Sequence, residues 1–137
     1  MDCIFCKIIS GEIPSSKVYE DEDFLAILDI RPVNHGHTLL IPKKHFVNIF
    51  DTDDDIARKI YPVLIKISKG IKEGLLADGI NIIQNNEKYA GQEVFHSHIH
   101  IIPRFREDSL KFTPRNLSYK DEDEKNKIVS KIREKIK

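Results

Sequence analysis

The pattern of apolar and polar positions predicts strands in the first third of the chain. Residues 17–30, KVYEDEDFLAILDI, hold two β-rich pieces around the acidic turn at 20–23, which predicts a hairpin. Residues 37–42, HTLLIP, form a compact apolar run ending at Pro42 and are typical of a buried strand. The intervening RPVNHGH carries loop signals, so these pieces are separate elements.

A long amphipathic helix is predicted within TDDDIARKIYPVLIKISKGIKEGLLADG. Thr52 and Asp55 fit a capping box, and acidic residues fill the first turn. Gly79 is the predicted stop. Pro62 should kink the helix or mark an irregular turn, because it removes a backbone hydrogen bond. The apolar residues that recur at helical spacing are Ile56, Ile60, Leu64, Ile67, Ile71 and Leu75.

The last part of the chain predicts two strands and a terminal helix. Residues 80–86 and 94–102 fit strands, with Pro103 ending the second. The helix at 120–136 is predicted to be peripheral or to face a partner, because its apolar stripe is thin. That stripe consists of Ile128, Val129, Ile132 and Ile136. About five strands with one long inserted helix indicate an α+β domain on an antiparallel sheet.

Composition and charge exclude several classes of partner. The 137 residues suffice for one domain with a core, and 22 basic residues balance 22 acidic ones. Such a chain has no net field to attract nucleic acid or an anionic membrane, so neither is an expected partner. The sequence shows no apolar run of about 18 residues and no secretory leader, so we expect a cytoplasmic protein. Cys3 and Cys6, spaced C-x-x-C, suit a redox pair or half of a zinc site.

Three histidines alternate in HSHIHIIPRF, residues 96–105. A strand would place His96, His98 and His100 on one face about 6–7 Å apart, with Ile99 and Ile101 pointing into the core. A purely structural role is disfavoured, because each buried ring nitrogen needs a partner. The set suits metal ligation, or a neutral imidazole attacking phosphorus with one ring nitrogen tied to an acceptor. Composition alone does not choose between these two interpretations.

Separated motifs across residues 2–105 resemble the histidine triad (HIT) family. They are CIFCKIISGEIPSSKVYEDEDFLAILDIRPVNHGHTLLIPKKH and GQEVFHSHIHIIPRF. The second fits His-φ-His-φ-His-φ-φ, where φ is apolar, except that Ser97 occupies the first φ position. The resemblance is strongest to the bacterial Hint-like branch, whose N-terminal C-x-x-C binds zinc.

This resemblance implies a HIT-like fold with a five-stranded antiparallel sheet, one long helix, a short N-terminal helix and a C-terminal helix. Residues 1–110 would form the HIT domain, and residues 111–137 a C-terminal extension with a helix, part of the same domain. Relatives usually form homodimers through the long helix and the strand at 80–86. A homodimer is therefore expected.

The resemblance also implies a reaction. His98 would attack the α-phosphate of a nucleotide conjugate and form a nucleotidyl-histidine, which water hydrolyses to a nucleoside monophosphate such as AMP. The other ring nitrogen of His98 would donate to the carbonyl of His96, which closes the cluster. His100 would contact the phosphate and assist the leaving group, and His37 would be a further active-site histidine. A purine nucleoside phosphoramidase is expected; the alternatives are a dinucleoside polyphosphate hydrolase of the Fhit kind and a regulatory nucleotide-binding protein with little catalysis.

Nucleotide-binding positions follow from the same resemblance. Asp29 would accept hydrogen bonds from the ribose hydroxyls. Glu93 stands where Hint-like proteins usually carry Ser or Thr, and an ionised carboxylate facing inward would repel the phosphate. The apolar slot for the base would comprise Ile4, Phe5, Ile27, Leu28 and Ile30. The phosphates would be held by Asn85, Gly91 and Gln92, together with His98 and His100.

By the same resemblance, Cys3, Cys6, His45 and His96 would bind Zn²⁺. Two sulfur and two nitrogen ligands close a tetrahedral site and leave no position for a reacting water, so the zinc would be structural. Two reduced cysteines, or a disulfide, are the alternatives for the C-x-x-C pair. A zinc-dependent hydrolase is a third possible function class.

Overall fold

The computed structural model describes residues 2–136 and confirms an α+β fold. Three α-helices and five strands follow the order that the sequence pattern and the family resemblance predict. In chain order they are α1 (Ile4–Ile9), β1 (Lys17–Glu20), β2 (Phe24–Leu28), β3 (Thr38–Pro42), α2 (Asp54–Gly74), β4 (Gly79–Ile83), β5 (Ile99–Arg104) and α3 (Glu122–Lys135).

The five strands form one antiparallel sheet in the order β1-β2-β3-β5-β4. The predicted β1–β2 hairpin is present, and its turn is held by Asp21, whose Oδ1 accepts the backbone N–H groups of Asp23 and Phe24. After β3 the chain crosses through α2 and returns as β4 on the sheet edge. β5 therefore lies between β3 and β4, in the interior of the sheet.

The strand that carries the histidines is shifted from its predicted position. It begins at Ile99 rather than residue 94 and continues through Pro103 to Arg104. Proline is tolerated there because β5 pairs with β3 only as far as Ile101, so Pro103 faces no β3 residue. His98 therefore lies just before the strand rather than within it.

The predicted cap of α2 is wrong by one residue, and the helix ends several residues before its predicted stop. Asp53, not Thr52, is the N-cap and accepts the backbone N–H of Ile56, while the Thr52 hydroxyl donates to the carbonyl of Asn48. The helix ends at Gly74, where the chain turns through Leu76 with φ 54°, and Gly79 already belongs to β4. The helix runs continuously through Pro62.

Each face of the sheet has its own apolar core. The face under α2 packs against Ile56, Leu64, Ile67 and Ile71 of that helix. The opposite face is covered by α1, through Phe5 and Ile8. The buried strand residues on the α2 face are Phe24, Ala26, Leu40, Ile99 and Ile101, and those on the α1 face are Leu25, Ile27, Leu39 and Ile41. The period of two along β2 and β3 produces this division.

The C-terminal part departs from the sheet after β5. The predicted terminal helix is present as α3, and each residue from Lys111 to Ile136 is exposed. The assignment of 111–137 to the same domain as 1–110 stays a prediction, and its last residue lies outside the described range. Within residues 2–136, none of the helices combines the length and apolar character needed to cross a membrane.

Candidate functional site

A cavity of about 350 Å³ opens on the α1 face of the sheet. Most of the residues that were predicted to bind the nucleotide line this cavity, although they belong to elements that are distant in the chain. Those lining it are Ile4, Phe5, Ile27, Leu28, Asp29, Ile30, Asn85, Gly91, Glu93, His98 and His100. Sequence reasoning missed four further lining residues: Ile8, Arg31, Leu39 and Val94.

His98 is held in one tautomer by the backbone. Its Nδ1 lies 2.7 Å from the carbonyl oxygen of His96, and a carbonyl only accepts, so Nδ1 carries the hydrogen. Nε2 of the neutral ring therefore keeps its lone pair. The ring of Phe5 packs edge-on against His98 at 5.0 Å between centroids, which fixes the imidazole plane. The site thus presents an oriented, unprotonated ring nitrogen.

A second hydrogen bond with the backbone fixes the tautomers of the neighbouring His37 and His100. The N–H of Val33 donates to Nδ1 of His37 at 3.1 Å, so Nε2 carries the hydrogen of the neutral His37 ring. That Nε2 lies 2.9 Å from Nδ1 of His100, which must then accept. His100 is left with its own hydrogen on Nε2. It can donate that hydrogen to an anionic ligand in the cavity.

Asp29 completes this group without converting it into a metal site. Its Oδ2 lies 3.6 Å from Nε2 of His37, and its Oδ1 accepts the backbone N–H of Arg31. Ligand atoms of Asp29, His37 and His100 lie within 4.8 Å of one another. A metal would need a lone pair on His37 Nε2, but the bond from Val33 leaves a hydrogen there. The cluster is therefore a hydrogen-bonded chain.

Burial keeps the site histidines uncharged near neutral pH. Desolvation lowers the pKa of His98 and of His37. Burial, with the adjacent His98 and His37 rings, lowers the pKa of His100 to about 4. Neutral rings are what a nucleophile and a single-proton donor require.

The loop between β4 and β5 is shaped by an internal amide. Gln92 is buried, and its side chain donates to the carbonyls of Val47 and Val94 and accepts from Glu87 N–H and Asn48 Nδ2. Its polar atoms are used within the fold, so Gln92 lies outside the cavity lining, unlike its predicted neighbours.

Gly91 adopts φ 92°, a conformation that favours glycine, and its carbonyl lies 3.5 Å from Asn85 Nδ2. The exposed carboxylate of Glu93 follows at the rim of the cavity. The phosphate-binding side predicted from the sequence therefore combines an amide and a flexible backbone with one acid.

His96 does not face the cavity with the other two triad histidines. Its Nε2 lies 2.7 Å from the carbonyl oxygen of Pro42, so Nε2 carries the hydrogen and Nδ1 has the lone pair. Nδ1 points to Cys3 Sγ at 3.5 Å, Cys6 Sγ at 3.6 Å and His45 Nδ1 at 3.0 Å. The remaining contact, Cys6 Sγ to His45 Nδ1, is 3.4 Å. The four donor atoms thus converge on one point.

This cluster has the dimensions of a tetrahedral metal site. Zinc bonds of about 2.3 Å to sulfur and 2.0–2.1 Å to nitrogen, at tetrahedral angles, separate S and N ligands by roughly 3.5 Å. The four sulfur or nitrogen ligand atoms lie within 4.8 Å of one another. Both cysteines are free thiols. The donor set therefore fits a zinc ion.

The chain is similar to proteins of one family. Residues 10–107 match the HIT domain family. The Bacillus subtilis protein named Protein hit is 51% identical over 104 residues, which are 76% of this chain and 72% of that one. Adenylylsulfatase HINT3 of Arabidopsis thaliana is 42% identical over 134 residues, 96% of this chain and 68% of the relative.

Two solved structures extend the comparison. SMU.412c from Streptococcus mutans UA159 aligns with TM-score 0.94 and 43% identity, over 99% of this chain and 86% of that one. A zinc-bound histidine triad family protein from Mycobacterium smegmatis aligns with TM-score 0.77 and 41% identity, over 98% of this chain and 97% of that one. The sheet and its helices are thus those of known histidine triad structures.

Proposed function

Because the chain belongs to the HIT family, with Hint-like relatives, we propose that it is a nucleotide hydrolase or transferase acting at the α-phosphate. The substrate would be a nucleotide conjugate with a phosphoramidate bond, and the product a nucleoside monophosphate such as AMP. The observation that carries this proposal is the bond from His98 Nδ1 to the carbonyl of His96, which leaves Nε2 unprotonated in a cavity of nucleotide size.

In the first step, Nε2 of His98 attacks the α-phosphorus and forms a P–N bond. The bond from phosphorus to the leaving group breaks, and the leaving group takes the bonding pair. As positive charge develops on the His98 ring, its Nδ1–H bond to the carbonyl of His96 becomes a charge-assisted bond. His100 donates its Nε2–H to a phosphoryl oxygen or to the departing amine. The proton needed by the amine is thus available beside the reaction centre.

In the second step, water attacks the phosphorus and the P–N bond to His98 breaks. The bonding pair returns to His98 Nε2, the oxygen of water stays on the nucleotide, and a water proton replaces the one that the amine removed. The Val33–His37–His100 chain returns the His100 ring to its starting tautomer. Asp29, at the rim of the same cavity, would accept the ribose hydroxyls.

Trapping tests this mechanism. Brief incubation with adenosine 5′-phosphoramidate labelled at phosphorus should leave label on His98, and His98→Ala should lower kcat by at least about a thousandfold. AMP affinity should change much less. His35→Ala, at an exposed histidine outside the cavity, is the matched control. Unchanged turnover in His98→Ala would refute the proposal.

A second candidate function is cleavage of the mixed anhydride between AMP and sulfate. The relative named an adenylylsulfatase aligns over 96% of this chain, which favours this candidate. The same attack by His98 would serve, with sulfate leaving in place of an amine. Comparing kcat/KM for adenosine 5′-phosphoramidate, adenosine 5′-phosphosulfate and diadenosine tetraphosphate would distinguish both candidates from a dinucleoside polyphosphate hydrolase.

We infer that Zn²⁺ is held by Cys3, Cys6, His45 and His96 in a structural role. Support comes from the converging donor atoms and from the tautomer of His96. When bound, zinc would cross-link the start of α1 to the segment just before β5. It would also fix the backbone of His96, whose carbonyl orients His98.

The proposed assembly is a homodimer through α2 and the edge strand β4. That surface exposes Tyr61, Ile65 and Ile82, and the hydroxyl of Ser68 beneath it is buried without a hydrogen-bond partner among residues 2–136. An exposed edge strand favours pairing with a second copy. Light scattering should give twice the 15.9 kDa chain mass, and Ile82→Glu should give a monomer.

A further inference from the structure

Among residues 2–136, no other element buries a side chain of the helix α3. Its fourteen residues are formed and capped by Asp121, yet each of them is exposed to solvent. One side carries Ile128, Val129 and Ile132, and the C-cap residue Ile136 follows this apolar stripe. A helix of this length is marginal in water without tertiary contacts, and an apolar stripe is the usual place for them. The stripe is therefore available to a surface outside this protomer.

The departure of the chain from β5 is fixed by a dense hydrogen-bond cluster. Both oxygens of Asp108 accept from the guanidinium of Arg104, at 2.8 and 3.0 Å. The same carboxylate accepts the Asn34 amide and the backbone N–H groups of Phe105 and Leu110, each at 3.0 Å. These bonds hold residues 104–110 against their own domain. They also set the direction in which the following segment leaves it.

An open apolar groove of about 540 Å³ lies on the α2 face of the sheet. It runs between α2 and the β1–β2 hairpin, on the part of that face that α2 leaves uncovered. Its apolar walls are Val18, Leu28, Ile67, Ile71 and Leu75. The active-site cavity is on the opposite face of the sheet, and Leu28 is the one lining residue that it shares with this groove. Apart from Leu28, the residues of this groove have no part in the proposed reaction.

Two glycines form the α2 side of this groove. Gly70 and Gly74 stand one turn apart, and a Cβ added to either would meet no atom of residues 2–136 within 4 Å beyond its chain neighbours and the backbone of its own helix. Glycine weakens a helix interior, and the protomer gives no steric reason for it at Gly70, whereas Gly74 is the last residue of α2. Small residues one turn apart let a second helix approach the backbone closely. The groove thus has the shape of a helix-docking surface.

The charges of the groove and of α3 are complementary. Among the described residues that line the groove, Lys66 carries a positive charge. His35 also lines the groove, and none of these residues is acidic. The first turn of α3 carries Glu122, Asp123 and Glu124. An acidic helix end therefore has a basic counterpart at this surface.

We propose that α3 of one protomer docks in the Gly70–Gly74 groove of a second copy of the chain. The apolar stripe packs against Ile67 and Ile71, with the acidic first turn near Lys66. Residues 113–121, nine residues when extended, span up to about 30 Å, which suits an arm crossing to a neighbour. In a two-fold dimer the exchange is reciprocal. This interaction is independent of the proposed catalytic function.

Disulfide trapping tests whether the contact is between chains. Chains carrying Gly70→Cys are mixed with chains of different tag length carrying Ile132→Cys and oxidised mildly. A covalent heterodimer should form at least about tenfold more than with Ser130→Cys, which lies on the opposite side of α3. Wild-type protein controls for Cys3 and Cys6. Equal yields in the two mixtures, or an intramolecular bond when both substitutions are on one chain, would overturn the proposal.

Hydrogen exchange tests the same contact without new cysteines. In the wild type the amides of α3 should be protected. Gly70→Leu places a side chain in the groove, starting from a Cβ position that is open space, and should reduce that protection at least about tenfold. Glu73→Leu, on the exposed side of α2 outside the groove, should leave it unchanged. The docking would be contradicted if the α3 amides of the wild type were unprotected, or if they stayed protected in Gly70→Leu.

Discussion

The Nε2 atom of His96 lies 2.7 Å from the carbonyl oxygen of Pro42, and this bond decides what the other side of the ring can do. Because Nε2 donates, Nδ1 presents a lone pair to the two cysteines and to His45. The carbonyl of the same residue orients His98. His96 thus joins the cysteine cluster to the proposed nucleophile through its own backbone.

We predict about one zinc per chain in protein purified without chelator. Cys3→Ser should release the metal and lower the free energy of unfolding by at least about 2 kcal/mol, because metal binding is coupled to folding. Elemental analysis and urea unfolding measure the two effects. His35→Ala, at a histidine outside the cluster, should keep its zinc. A metal-free wild type of unchanged stability would exclude the site.

The protein should become less stable in acid because of the buried His100. Its pKa is lowered from the ordinary 6.5 to about 4 in the folded state, so the unfolded chain binds more protons between these values. The contribution of His100 to the free energy of unfolding is then fully present above pH 6.5 and declines as pH falls toward 4. His100→Asn should reduce this decline by on the order of 2 kcal/mol, seen by urea unfolding at pH 7 and pH 5. The zinc ligands are common to both proteins, so their titration cancels in the difference.

Asp29→Asn should reduce the preference for ribose over 2′-deoxyribose substrates. An ionised carboxylate can accept from both vicinal hydroxyls, whereas the amide keeps one acceptor, so the ratio of kcat/KM should fall about tenfold. Using a ratio removes any effect through His37, which lies 3.6 Å from Asp29 and acts on both substrates alike. An unchanged ratio would assign Asp29 to the histidine chain alone.

Glu93→Ser should raise kcat/KM for anionic substrates several-fold. Glu93 lines the rim of the cavity, where its charge repels an incoming phosphate. The gain should shrink as ionic strength rises, because salt screens exposed charges. Glu107→Ser removes an equal charge at an exposed position outside the cavity and is the control. If Glu93→Ser and the wild type had equal kcat/KM at low salt, the Glu93 carboxylate would not act on the substrate.

Local patterns were sufficient for most of the elements. The alternation along residues 17–42 predicted the β1–β2 hairpin and β3, and the spacing from Ile56 to Ile71 predicted α2. Such patterns repeat within a single element and depend on neighbours in the chain. Ends were less predictable, since Asp53 displaced Thr52 as the helix cap when the Thr52 hydroxyl found the carbonyl of Asn48.

The sequence by itself determined the order of the elements, the family resemblance and the residue types available to the site. The tertiary structure alone decided which atom each histidine presents. A tautomer depends on the partner of the other ring nitrogen, and those partners are backbone groups such as the Val33 N–H and the Pro42 carbonyl. His96 leaves the triad face to meet Cys3, 93 positions away in the chain. No local spacing encodes that contact, because it forms only when the N-terminal helix packs on the completed sheet.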